Sequence, residues 1–129
     1  MHTVFSCVED NSANLMLLHA VLGSSSYRLH DARTIKAAMQ LLGEREYSLV
    51  LLDLMLPDGS GLDVARHLRR TPSTMALPIV VMTASVRESD REEAMAVGCN
   101  VFLQKPFSPS SLRHAVAELL SQPQARSPA

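Results

Sequence analysis

A chain of 129 residues, 47% of them apolar, has room for one domain with a single core and not for two. Its formal net charge of −1 supplies neither a basic footprint for nucleic acid nor an acidic tail, and no stretch approaches the ~20 apolar residues of a membrane span. Two cysteines, Cys7 and Cys99, are too few for a disulfide framework, and neither they nor the five histidines show metal-ligand spacing, so a reducing, cytoplasmic setting is expected.

Met1-His2-Thr3 leads into the first strand-like run, Thr3–Val8, with no signal-peptide pattern. A helix is expected next, with Asn14, Leu17, Leu18, Val21 and Leu22 inward, Met16 and His19 outward and Leu15 on the flank; Gly23 marks its stop. Tyr27–Ala32 is a weaker strand. A second helix follows with the stripe Ile35, Ala38, Met39 and Leu42, stopping at Gly43. Ser48–Asp53 reads as a strand, Pro57 and Gly61 as turn residues, and Ser60 as the start of a helix reaching Arg70. After the strand Pro78–Thr83, the segment between Val86 and Val97 carries Arg87, Glu88, Asp90, Arg91, Glu92 and Glu93 but few apolar anchors, so this helix is expected to be held loosely. Asn100–Gln104 is the last strand, and Leu112, Ala115, Val116, Leu119 and Leu120 form the core face of the last helix. Residues 122–129, polar and broken by proline, read as a flexible tail or the start of a linker after a domain over 1–121. Strands alternating with helices predict an α/β fold, a parallel sheet covered on both faces.

Four of the apolar runs end on residues of one chemical set: Glu9 and Asp10, Asp53, Thr83 and Lys105. In an open parallel sheet those ends lie along one edge, where such folds place their sites. Three carboxylates offer hard oxygen ligands to Mg²⁺, while a hydroxyl and an ammonium donate to phosphoryl oxygens. Taken singly, each piece has an ordinary structural reading as a cap or loop residue, and only co-location points to chemistry.

The motifs Val-Glu-Asp at 8–10, Asp53-Leu-Met-Leu-Pro-Asp-Gly-Ser-Gly, Val-Met-Thr-Ala-Ser at 81–85 and Phe-Leu-Gln-Lys105-Pro-Phe resemble the signatures of the response-regulator receiver domain. Their reactive positions are spaced by 43, 30 and 22 residues, and the match runs from residue 3 to about residue 121. This resemblance implies a flavodoxin-like, five-stranded doubly wound sheet of order 2-1-3-4-5 with five helices. It implies Asp53 as phosphoacceptor from a phosphohistidine, and Mg²⁺, with Mn²⁺ as an alternative, held by Asp10, Asp53 and the Met55 carbonyl, and by Glu9 through water. Thr83 and the Ala84 amide would donate to the phosphoryl group and Lys105 would balance its charge; Lys105-Pro106 is where the family carries a cis peptide. The implied protein is a signalling phosphoacceptor and not an enzyme, served by a histidine kinase or histidine phosphotransfer domain.

Phe102 stands at the family's switch aromatic position together with Thr83; it is either a packing-only switch or a core residue. Asp10-Asn11-Ser12-Ala13-Asn14 is similar to the opening of receivers in hybrid histidine kinases, so the chain is read as part of such a kinase or as a stand-alone regulator. Leu15, Met16 and His19 form a candidate docking surface for the donor bundle, against the alternative of scattered surface apolar residues. The fourth helix could face a phosphorylation-dependent dimer, a partner or solvent. Met55 and Ser85 offer no group suited to orient an attacking water, so slow loss of phosphate is expected. A phosphatase with an aspartyl-phosphate intermediate is the remote alternative, since Asp53-Leu54-Met55 lacks the second acid of its Asp-x-Asp motif. A flavodoxin-like cofactor binder would need a phosphate loop after the first strand, and none is present.

Overall fold

The β-branched and leucine-rich runs of the chain form five strands, numbered here along the central sheet. In the computed structural model, which describes residues 3–23 and 27–121, these are β1 (Thr3–Val8), β2 (Tyr27–Ala32), β3 (Leu49–Asp53), β4 (Ile79–Thr83) and β5 (Val101–Gln104). All pair in parallel in the order β2-β1-β3-β4-β5, as expected from the resemblance. Parallel neighbours need crossovers, and these are supplied by α1 (Ser12–Leu22), α2 (Ile35–Glu44), α3 (Leu62–Arg70), α4 (Glu88–Val97) and α5 (Pro109–Ser121).

Alternation along the strands sorts the core into two layers. Val4, Val8, Val50, Leu52, Ile79 and Val81 point to the face covered by α2, α3 and α4. Phe5, Cys7, Leu49, Leu51, Val80 and Met82 point to the other, covered by α1 and α5. The three central strands are buried on both faces, whereas β2 and β5 lie at the edges and are only partly covered. That explains why Tyr27–Ala32 carries the weaker strand pattern.

Helix α1 is turned differently from the expected stripe. Leu15, Leu18 and Leu22 are its buried residues, while Asn14, Leu17 and Val21 are half-buried. Leu15 therefore belongs to the core and not to a flank: α1 shares its layer with Leu112, Val116 and Leu119 of α5, and the line 15-18-22 faces the sheet between them. Burying each leucine removes it from water for about 1.5–3 kcal/mol, enough to fix the helix's rotation.

The starts of α1 and α2 are set by side chains that accept otherwise orphaned backbone N–H groups. Asn11 accepts from the Asn14 amide at 3.0 Å, and Thr34 accepts from that of Ala37 at 3.0 Å. Ser60 accepts from Leu62 at 3.2 Å, which puts the start of α3 at Leu62 and not at Ser60. Gly43 does not stop α2: it lies exposed in the last turn, and the helix ends where Arg45 becomes extended. Gly98, at φ 110°, closes α4 in a conformation that side-chain-bearing residues rarely adopt. A two-residue hairpin, Met55–Leu56 against Gly59–Ser60, follows β3 and has no counterpart among the expected elements. Residues 122–129, His2 and Ser24–Ser26 lie outside the described residues.

Candidate functional site

Strand register carries the chemical set to one edge. Val8 is level with Leu52, Asp53 with Met82 and Thr83 with Gln104, so Glu9, Asp10, Asp53, Thr83 and Lys105 all project from the C-terminal ends of neighbouring strands. Glu9, Asp53 and Thr83 are buried and Asp10 is half-buried. The Lys105 ammonium bridges the two buried carboxylates, 2.6 Å from Glu9 Oε1 and 2.8 Å from Asp53 Oδ2. Each remaining oxygen has a backbone donor: Asn11 N–H reaches Glu9 Oε2 at 3.1 Å, and Met55 N–H reaches Asp53 Oδ1 at 3.0 Å.

Burial pushes the Glu9 carboxyl above its ordinary range, against the opposing pull of Lys105 and the Asn11 amide. Burial also acts to lower the Lys105 pKa, but its hydrogen bonds to Asp53 and Glu9 outweigh that effect and hold it above the usual lysine value. Lys105 thus stays an ammonium. Glu9, Asp10 and Asp53 bring one oxygen each to within 4.8 Å of one another, so three carboxylates face one ammonium. That excess of hard, negative oxygen atoms, with Asp10 on the open side, fits a divalent cation that keeps part of its water. Burial pushes both thiols up, Cys99 to about 11, and leaves neither poised as a nucleophile.

The backbone around Asp53 is held from three directions. Gly61 donates to the Leu54 carbonyl at 2.8 Å and passes so close to β3 that a Cβ there would lie 2.0 Å from the Asp53 carbonyl oxygen. Its role is this close approach, a stricter demand than shaping a turn. Asp58, in the hairpin, accepts from the amides of Ile35 at 2.8 Å and Lys36 at 3.1 Å, tying the loop to the start of α2. Arg33 donates to the Asp10 carbonyl at 2.8 Å and to Ser12 Oγ at 2.9 Å, fixing the β1–α1 turn. Sequence reasoning missed Asp58 and Arg33. Their partners lie 22 and 23 residues away, and the only signal was the Pro-Asp-Gly turn motif itself.

Thr83 Oγ1 accepts from the Ser85 amide at 3.1 Å, Ala84 beside it is exposed, and the Lys105-Pro106 peptide is cis. Phe102 is half-buried against the α2–α4 layer, with the Arg91 guanidinium 5.7 Å above its ring. Met55 and Val86 are exposed on a groove of about 630 Å³ next to Thr83. Of the three α1 residues expected to dock a partner, Met16 is exposed and His19 is exposed and bonded to Asp31 at 2.8 Å. Leu15 is excluded, because its side chain is in the core. His30 is half-buried and lies 3.1 Å from the Tyr47 hydroxyl.

Among the described residues no helix is long and apolar enough to cross a membrane. The chain is 36% identical over 117 residues to the transcriptional regulatory protein SrrA of Staphylococcus aureus, covering 91% of this chain and 47% of that protein. It is 35% identical over 105 residues to the phosphate regulon transcriptional regulatory protein PhoB of Escherichia coli, covering 81% and 46% respectively. It thus spans about half the length of the curated relatives it matches. Among solved structures, the receiver domain of sensor histidine kinase PA1611 from Pseudomonas aeruginosa, which has a magnesium ion coordinated in its active-site cleft, superposes with a TM-score of 0.86. That match is 27% identical and covers 95% of this chain and 100% of that one. The receiver domain of HemR from Leptospira biflexa gives 0.85 at 29% identity, covering 93% and 95%. A family model described as the response regulator receiver domain matches residues 5–117, spanning β1 to α5 and every residue of the charged edge, and the chain belongs to that family.

Proposed function

We propose that this receiver accepts a phosphoryl group on Asp53 from the phosphohistidine of a histidine kinase or histidine phosphotransfer domain and thereby changes its interactions with partners. One observation carries the reading: a buried ammonium shared by Glu9 and Asp53, with Asp10 alongside, at the carboxyl end of a parallel sheet. In the transfer, an Asp53 oxygen forms the new bond to phosphorus as the phosphorus–nitrogen bond breaks, and the departing imidazole takes a proton. Thr83 and the Ala84 amide donate to the phosphoryl oxygens, and Lys105 keeps its positive charge beside them. Asp10, Asp53, the Met55 carbonyl and, through water, Glu9 would hold Mg²⁺ or Mn²⁺, which neutralises charge on the phosphoryl oxygens when bound.

The domain acts as a signalling phosphoacceptor in the cytoplasm, within a hybrid kinase or as a regulator in its own right. Met16 and His19 provide the α1 contact for the donor. Neither Met55 nor Ser85 orients water well, so the acyl phosphate is long-lived. Intact mass after incubation with Mg²⁺ and phosphoramidate tests the reading. A gain of ~80 Da, one HPO₃, is expected for the wild type and not for Asp53→Asn or without Mg²⁺. No gain in a folded wild type, or an equal gain in Asp53→Asn, overturns it.

A further inference from the structure

Outside the acceptor pocket, a hydrogen-bonded chain runs from Thr83 into α4. Thr83 Oγ1 accepts from the Ser85 amide at 3.1 Å. The Ser85 hydroxyl donates to Asp90 Oδ2 and accepts from the Arg87 amide at 3.2 Å. The Arg87 guanidinium grips both oxygens of the same carboxylate, Nε to Oδ2 at 3.1 Å and Nη2 to Oδ1 at 3.2 Å. Asp90 is the covered member of this group, its side chain 20% exposed against 76% for Arg87.

The start of α4 has little else to hold it. Arg87, at its N-cap position, makes no side-chain capping bond, and Ala94 is the helix's one buried residue. Asp90, in the first turn, therefore anchors α4 from within, through the hydroxyl of Ser85. The groove of about 630 Å³ lined by Met55, Thr83, Ser85, Val86 and Asp90 gives this loop somewhere to go. Next to Asp90 in sequence, Arg91 covers the Phe102 ring, so of two consecutive residues of α4 one reaches Thr83 through Ser85 and the other touches Phe102.

We propose that Asp90 is a positioning residue for Thr83: through Ser85 it keeps the threonine hydroxyl in its resting place, so Thr83 reaches a phosphoryl group on Asp53 only as the first turn of α4 gives way. This rests on the acceptor role proposed above. Freeing the loop raises the fraction of molecules with Thr83 in reach, and the observed rate of phosphorylation rises in proportion to that fraction.

The test is the initial rate of mass gain with Mg²⁺ and phosphoramidate, which needs no docked protein. Asp90→Ala and Ser85→Ala are expected to accelerate it by about fivefold or more, the lower end for coupled sites. Asp90→Asn, which keeps an acceptor for Ser85, stays closer to wild type. The decisive comparison is in a Thr83→Ala background, where Asp90→Ala should change nothing, since the hydroxyl it acts on is gone. If Asp90→Ala fails to fold, Ser85→Ala, which loses one hydroxyl, is judged in the same two backgrounds. Unchanged or slower rates, or an acceleration that persists without Thr83, overturn the proposal while leaving the acceptor reading intact. A wild type that takes no phosphate overturns both.

Discussion

Helix α5 buries Leu112, Ala115, Val116 and Leu119 against one face of the sheet, whereas α4, on the opposite face, buries Ala94 alone. What α4 lacks in apolar contact it replaces with polar bonds: Glu93 to Arg66 at 2.6 Å, Asp90 to Ser85, and Arg91 over Phe102. Apolar burial is non-directional and costs free energy for any displacement that re-exposes it, while surface ion pairs contribute little and exchange readily with water. The sheet thus carries a firmly buried helix in α5 and a displaceable one in α4, the latter beside an α3 that buries Leu62, Val64, Ala65 and Leu68. The displaceable helix is the one wired to Thr83.

Core truncation should separate the two most sharply. Leu112→Ala in α5 is expected to cost about 2–5 kcal/mol in denaturant-unfolding free energy, and a loss below about 1 kcal/mol would mean that α5 is no better anchored than α4. In α4, Ala94→Gly leaves no large cavity and should cost about 1 kcal/mol by the same measurement, chiefly through helix propensity. Glu93→Ala, which breaks a half-exposed pair with Arg66, should cost about 1 kcal/mol or less; a larger loss would show that the ion pair carries α4. Acid offers the finest test. The Ser85 hydroxyl, and then the Arg87 guanidinium, hold the Asp90 carboxyl below its ordinary 3.8. A carboxyl whose folded pKa is depressed contributes stability that is fully present above the unfolded value and is lost as pH falls through the folded one. Backbone amides of residues 85–90 should therefore lose hydrogen-exchange protection on going from about pH 5 to about pH 3, while those of α5 keep theirs. Simultaneous loss in both helices would erase the distinction.

Four of the strands were legible because each is an apolar run bounded by turn residues, the edge strand β2 only weakly so, and the charged edge was legible because parallel strands deliver their C-terminal residues to one side. The sparse apolar pattern of residues 86–97 correctly announced a weakly buried helix. What escaped was set by neighbours distant in sequence. Leu15 was misassigned because the lines 14-17-18-21 and 15-18-22 run side by side on α1, and only the position of α5 decides which faces inward. The Met55–Ser60 hairpin has strands too short to carry a period. Asp58 accepts from the first amides of α2, Arg33 donates to the Asp10 carbonyl, and Gly61 answers to the approach of β3, partners that no local pattern names.

Lys105 and Glu9 are 96 residues apart, and the bond between them joins the end of the last strand to the end of the first. The four strands β1, β3, β4 and β5 must be in place, in register, before that ammonium has its carboxylates. Contacts of such sequence separation form late, because the loop they close costs entropy that nothing local repays. A chain still being synthesised, or one with β5 undocked, contains Asp53 but not its surroundings. The carboxylate–ammonium cluster is then a property of the finished fold and of no segment made before β5.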